Sequence, residues 1–255
     1  MSVHSEQAVE GRVCKFENQK TGHTLGFFCI QERGSMEDFS VFDIIGPRMT
    51  GPSSSHTAGA VRIAYIARRL LGTEISRVHF TLYGSFAETG RGHGTDKALI
   101  GGILGFTPDD ERIPRAYEYA KEQGVHVDFT YSDEPVDHPN TVKIELTDND
   151  ERKMEVVGRS VGGGNILITE INEQTVELSG DYPTLIVSHR DEPGVIAVVS
   201  QVLAQLNVNI AFMRVFRHGR GRDAYMCIET DTPVTKEMQM IIRQLCKGIT
   251  ELFAV

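Results

Sequence analysis

Three serines and a histidine, Ser53, Ser54, Ser55 and His56, stand between a Gly-Pro pair and an almost wholly apolar run in GPSSSHTAGAVRIA, residues 51–64. One serine is enough to cap a helix, by accepting a bond from an N–H group of its first turn. The surplus hydroxyls, with the remaining unpaired N–H groups of a helix start, make a pocket suited to an anion the size of a carboxylate. His56 falls in or just before the first turn. The positive end of the helix dipole disfavours an imidazolium there, so the ring is expected to stay neutral, available as a base or a hydrogen-bond acceptor. The plainer reading is a capping cluster with a structural histidine.

A second cluster repeats the theme. YGSFAETGRGHGTDKALIGGILGF, residues 83–106, places Gly, Ser, Arg, His and Thr on a segment read as a loop leading into a helix. Gly90, Gly92 and Gly94 allow turns that other residues resist. Thr95 or Asp96 can cap the helix, and Arg91, His93 and Lys97 can add positive charge. No GxxxxGK[ST] motif occurs, so a nucleotide P-loop is not indicated. A third glycine run, SVGGGNI (160–166), reads as a bulge or tight turn, or as further lining of the same cavity.

The third candidate lies near the carboxy terminus, in HRDEPGVIAVVSQVLAQLNVNIAFM (189–213). Asp191 can hold an ammonium group. The helix start after Pro193 and Gly194 can hold a carboxylate, and together these suit a free amino acid. A plain strand-to-helix turn without a ligand is the alternative.

These clusters need elements to position them. Residues 58–71 are apolar nearly all round, with Arg62 and Arg69 on one narrow polar stripe, which predicts a buried helix. A strand is expected over 78–83, a small-residue helix over 96–104 and a more exposed helix over 111–123, stopped by Gly124. Strands follow at 125–131, 141–146, 153–161 and 165–171, two of them joined by the hairpin turn LTDNDERK. The expected fold is α+β, an antiparallel sheet with helices on one face. Gly180-Asp181-Tyr182-Pro183 reads as a linker. Beyond it the order is strand, helix, strand, strand, helix, strand, the ferredoxin-like βαββαβ pattern. The expected organisation is a poorly ordered leader over 1–35, a first domain over 36–180 and a second over 184–255.

Composition narrows the classes. The net charge of −9 opposes binding to nucleic acid. No apolar run approaches the roughly 20 residues that cross a bilayer, and no signal peptide is read. Cysteines stand at 14, 29, 227 and 246 with no CxxC spacing. Reduced thiols in a cytoplasm are expected, with no zinc site or iron–sulfur cluster held by this chain. No GxSxG elbow supports a Ser–His hydrolase, and no lysine has a recognisable pyridoxal phosphate setting.

Two resemblances bear on these residues. The stretch DEPGVIAVVSQVLAQLNVNIAFMRV resembles the ACT domain, a regulatory module that usually pairs with itself and binds amino acids at the interface. DFSVFDIIGPRMTGPSSSHTAGAVRIA, GSFAETGRGHGTDKALIGGILGF and SVGGGNILI, followed by that ACT segment, resemble the beta subunit of iron–sulfur-dependent L-serine dehydratase (L-serine ammonia-lyase) from about residue 38 onward. The first domain is also similar to the allosteric substrate-binding domain of some phosphoglycerate dehydrogenases. The resemblance implies conversion of L-serine to pyruvate and ammonia. It implies a [4Fe–4S] cluster held by a separate alpha subunit, acting as Lewis acid on the serine hydroxyl. It casts His56 as the base for the Cα proton, with Ser53, Ser54, Ser55 and Thr57 holding the carboxylate or the base. His93 and Thr95 complete the expected substrate-binding set, and Asp191 and Gly194 form the expected effector site. The alternative it leaves open is an amino-acid-binding regulatory module, with His56 as an effector ligand and all chemistry on the partner.

Overall fold

Outside any sustained hydrophobic period, the amino-terminal stretch nonetheless holds two strands. The computed structural model describes residues 12–17, 24–29, 48–217, 219 and 221–254. Within it β1 (Arg12–Glu17) and β2 (Thr24–Cys29) pair antiparallel, in a unit spanning residues 1–44. The expected leader therefore contains a strand pair, and its remaining residues lie outside the described ones.

The second unit, residues 45–255, begins with the serine cluster. A π-helical turn, Ser54–Gly59, runs into α1 (Ala60–Leu71), which ends where Gly72 turns left-handed at φ 71°. α1 buries one broad face, on which Ala60, Val61, Ile63, Ala64 and Ala67 have no exposed surface, while Arg62, Tyr65 and Arg68 are half-buried and Arg69 is exposed. β3 (Ile75–Tyr83) alternates as its sequence predicts, with Val78, Phe80 and Leu82 turned to the core.

The segment after β3 departs from expectation. Gly84–His93 is not a loop but a helix, α2, and Gly94 at φ 71° separates it from α3 (Thr95–Ile103). Burial of Phe86 anchors it, outweighing the poor helix propensity of its glycines. α3 crosses α1 very closely. A Cβ on Gly102 would lie 2.3 Å from the Val61 carbonyl oxygen. A short 3₁₀ turn, Ile113–Arg115, leads to α4 (Ala116–Glu122).

The strands β4 (His126–Tyr131), β5 (Thr141–Asp148), β6 (Lys153–Gly162), β7 (Asn165–Ile171) and β8 (Gln174–Leu178) complete a six-stranded sheet, ordered β4-β3-β5-β6-β7-β8. The sheet is not purely antiparallel. β3 and β4 run parallel, because the three helices between them form a crossover that returns the chain to the same end. β8 was not expected from the sequence. Its turn uses Asn172 and Glu173 at φ 48° and 64°, the two positive values of a type I′ hairpin, without the Asn-Gly pair that usually marks one.

The second half follows its expectation closely: β9 (Thr184–Arg190), α5 (Val195–Gln205), β10 (Ile210–Arg217), β11 (Asp223–Thr230), α6 (Lys236–Leu245) and β12 (Ile249–Ala254). Its sheet is antiparallel in the order β10-β11-β9-β12, the ferredoxin-like arrangement. β9 is buried on both faces. Leu185 and Val187 pack with Val199 and Leu203 of α5, while Ile186 joins the core of the six-stranded sheet. The segment expected as a linker is tied at both sides. Ser179 donates from its N–H (3.3 Å) and hydroxyl (3.0 Å) to the buried Glu229 carboxylate of β11. Arg62 of α1 pairs with Asp181 at 2.7 Å and donates to the Gly164 carbonyl at 2.9 Å.

Candidate functional site

Ser53 is the residue that caps. Its backbone is extended, and its hydroxyl oxygen accepts from the His56 N–H at 3.2 Å. Its carbonyl accepts the first helical bond, from the Thr57 N–H at 2.8 Å. The N–H groups of Ser54 and Ser55 precede that first bond, so helix geometry leaves them without an intrahelical acceptor. Both side chains are half-buried, and among the described residues no hydrogen bond occupies either hydroxyl.

The His56 ring reaches across to α2. Its Nε2 lies 3.1 Å from the Ser85 hydroxyl oxygen and 3.1 Å from that of Thr89, and its Nδ1 lies 3.5 Å from Ser53 Oγ. Phe86 meets the ring edge-on at 5.2 Å, and the His93 ring stands 4.7 Å away. His93 is oriented by its Nδ1–H, which donates to the Thr89 carbonyl at 3.1 Å. Partial burial, reinforced by the charge His93 carries when protonated, holds the His56 imidazole below its ordinary pKa of 6.5. The ring is therefore neutral at pH 7 and can accept a proton.

The floor of this corner is the seat of the π-helical turn on β6. A Cβ on Gly59 would come within 2.1 Å of Ser160 Oγ. Beside it the turn His138-Pro139-Asn140 is fixed by the Ser160 N–H donating to the Asn140 carbonyl (3.0 Å) and the Phe86 N–H to that of Pro139 (3.4 Å). Burial and the Arg159 charge lower the His138 pKa as well.

The structure thus brings together Ser53, Ser54, Ser55, His56 and His93. Thr57 and Thr95 are buried, and their enclosed hydroxyls have no hydrogen-bond partner among the described residues. Arg91 lies over the Tyr131 ring at 4.5 Å. The run Gly162, Gly163 and Gly164 forms the β6–β7 turn, all three at positive φ. Sequence reasoning missed Ser85 and Thr89. Their i, i+4 spacing is the signal that would have found them, once the segment is read as a helix.

At the other candidate corner, Gly194 caps α5 at φ 99° with no side-chain bond. The Asp191 carboxylate is already paired, with Arg217 of β10 at 3.2 Å. The His189 ring beside it is buried, its Nδ1–H donating to the Arg190 carbonyl at 2.7 Å.

A metal centre has little to build on here. Among the described residues no three His, Cys, Asp or Glu side chains are grouped as ligands. Cys227 and Cys246 are free and buried, and burial pushes the Cys227 thiol up to about 12. The described residues do not fit an iron–sulfur cluster. Among the described residues no helix is long and apolar enough to cross a membrane.

A mixed sheet that presents a neutral imidazole beside a capped helix start, continuous with a βαββαβ domain, defines the class: a two-part α+β protein suited to a small anionic ligand. Residues 40–171 match the serine dehydratase beta chain family, and residues 183–247 match the ACT domain. The chain belongs to the serine dehydratase beta chain family. It is 50% identical to the probable L-serine dehydratase, beta chain, of Bacillus subtilis (strain 168), over 75% of this chain and 87% of that one. It is 40% identical to the L-serine dehydratase, beta chain, of Peptoniphilus asaccharolyticus, over 81% and 94%. It is also 27% identical to the D-3-phosphoglycerate dehydrogenase of Synechocystis sp. (strain ATCC 27184 / PCC 6803 / Kazusa), over 77% of this chain and 35% of that protein.

Proposed function

We propose that this chain is the beta subunit of an L-serine ammonia-lyase and that His56 takes the Cα proton of L-serine. The observation that carries the reading is the His56 ring itself, half-buried, held neutral, with Nδ1 3.5 Å from the Oγ of Ser53, the residue that caps the helix start. A substrate carboxylate held by the N–H groups of Ser54 and Ser55 and by the serine hydroxyls places Cα one bond from the cradle. Removal of the Cα proton and departure of the β-hydroxyl as water leave aminoacrylate. That enamine tautomerises to an imine, and a second water releases ammonia and pyruvate.

Departure of the hydroxyl needs an acid that this chain does not supply. We assign it to an alpha subunit carrying the [4Fe–4S] cluster, in keeping with the "beta chain" in the relatives' names. We further place the complex in a reducing cytoplasm, consistent with the free Cys227 and Cys246, and assign self-association to the ACT domain.

The test is His56→Ala, purified anaerobically with the alpha chain. A base role predicts that pyruvate formation falls at least ~100-fold in kcat with the cluster absorbance unchanged. A change confined to the response to amino-acid effectors would sink the assignment, as would pyruvate formation by this chain alone without iron.

A second reading, an amino-acid-binding regulatory module, is favoured by the match to a phosphoglycerate dehydrogenase. It predicts serine binding at Asp191 and Gly194. In calorimetry on this chain, that binding would vanish in Asp191→Ala and survive in His56→Ala.

A further inference from the structure

The two nitrogens of His56 sit in different surroundings, and the hydrogen-bond inventory decides which one carries the proton. Thr89 is the deciding group. Its hydroxyl donates to the Ser85 carbonyl at 2.8 Å, one helical turn back in α2. With its only proton committed, Thr89 Oγ1 presents lone pairs to His56 Nε2 at 3.1 Å. A bare nitrogen there would face an oxygen lone pair. An N–H there is satisfied by Thr89 and shared with Ser85 Oγ, also at 3.1 Å. The Ser85 hydroxyl proton can then turn to Thr89 Oγ1 at 3.4 Å.

The other nitrogen agrees. Ser53 Oγ accepts the His56 backbone N–H at 3.2 Å, which leaves its own proton free to point at Nδ1, 3.5 Å away. In this arrangement every donor has an acceptor. In the opposite tautomer the Ser85 hydroxyl can donate to Nε2, but the lone pairs of Nε2 and Thr89 Oγ1 face each other at 3.1 Å, or the 2.8 Å bond to the Ser85 carbonyl is given up, and the Ser53 hydroxyl proton loses its ring acceptor.

We infer that Thr89 is a positioning residue that holds neutral His56 as the Nε2–H tautomer, so that the lone pair of the base is on Nδ1, facing the Ser53 cap. The catalytic consequence rests on the proposed function; the tautomer does not. Nδ1 is the nitrogen on the side of the helix start, where the N–H groups of Ser54 and Ser55 await a carboxylate. Proton uptake at Nδ1 leaves the Nε2–H bonds to α2 intact, so the ring need not turn during the reaction. Phe86 and His93 flank it and help to keep it in place.

The test is long-range ¹H–¹⁵N NMR on the full chain labelled at histidine, at a pH where His56 is neutral. The expected result is a pyrrole-type Nε2 and a pyridine-type Nδ1. Thr89→Val removes the acceptor at nearly constant shape and is expected to turn that single tautomer into a mixture. In the complex with the alpha chain it should lower kcat about 10- to 100-fold while KM changes little, and Thr89→Ser should restore both readings. Thr89 is exposed, so the valine is expected to be tolerated. If it is not, the spectrum of the unaltered chain still decides. An Nδ1–H tautomer there, or an unchanged tautomer in Thr89→Val, overturns the inference. That failure is distinct from failure of the proposed function, which is read from kcat of His56→Ala.

Discussion

At Ser54–Gly59 the helix start is capped by a side chain, packed hard against a strand and faced by polar groups from a second helix. At Val195–Gln205 it is capped by no side chain. Gly194 simply turns the backbone at φ 99°, no atom beyond its chain neighbours lies within 4 Å of where its Cβ would stand, and the Asp191 carboxylate is paired with Arg217. Both are helix starts able to meet an amino acid. The first is over-determined, which suits the base role proposed for His56. The second is loosely built and its charge is already spoken for, so a ligand there competes with an ion pair for Asp191. Such a corner suits a reversible effector better than chemistry.

The same substitution at the two corners sharpens the contrast. Gly59→Ala forces a Cβ to within 2.1 Å of Ser160 Oγ and 2.7 Å of its Cβ, and Ser160 has no exposed surface into which to retreat. Overpacking of this kind is expected to cost about 3 kcal/mol. In a chain of this length that lowers the melting temperature by roughly 6–12 °C. Because His56 is three residues away, kcat should fall more than about tenfold as well. Adding Ser160→Gly should restore most of both losses. A Gly59→Ala chain that melts like the unaltered one would mean that the turn is not seated on β6, and the contrast would collapse.

Gly194→Ala is the smaller perturbation. Its Cβ meets nothing, so only the positive φ is penalised, at about 1–2 kcal/mol. No neighbouring truncation should rescue it. A loss as large as that of Gly59→Ala would show that the second corner is as tightly built as the first.

What the sequence made legible follows the same division. The βαββαβ half announces itself by short strands, firm turns and two helices of ordinary length, and its observed elements come in the expected order. α1 was legible because its apolar residues fill all but one arginine-bearing face. The segment Gly84–His93 was not, because its glycines lower helix propensity and only tertiary burial of Phe86 and the Gly94 stop make a helix of it. With that helix unread, Ser85 and Thr89 were invisible as partners of His56. The inward turn of Thr57 is a matter of helix rotation, one residue past His56 on the wheel, and the pairing of Asp191 with Arg217 spans 26 residues. Neither is written in local pattern. The parallel β3–β4 pair likewise depends on how three helices pack before the chain returns.

The finest expected effect is on pH dependence, and it tests whether His93 belongs to the first corner electrostatically or only by proximity. His56 is below its ordinary value of 6.5, first through burial and second through the charge of protonated His93. In the proposed base role His56 must be neutral to accept the Cα proton, so kcat/KM is expected to be lost as pH falls through its pKa. The acid limb of the profile therefore lies below 6.5. His93→Gln keeps a side-chain N–H for the Thr89 carbonyl but removes the neighbouring positive charge. One of the two depressing influences is gone while burial stays, so the His56 pKa must rise and the acid limb must move to higher pH. The pH–rate profile of the variant complex measures this directly. A limb that stays put would make His93 a packing partner alone. A limb that moves to lower pH would reverse the sign of the His93 interaction and leave burial alone to keep the ring neutral.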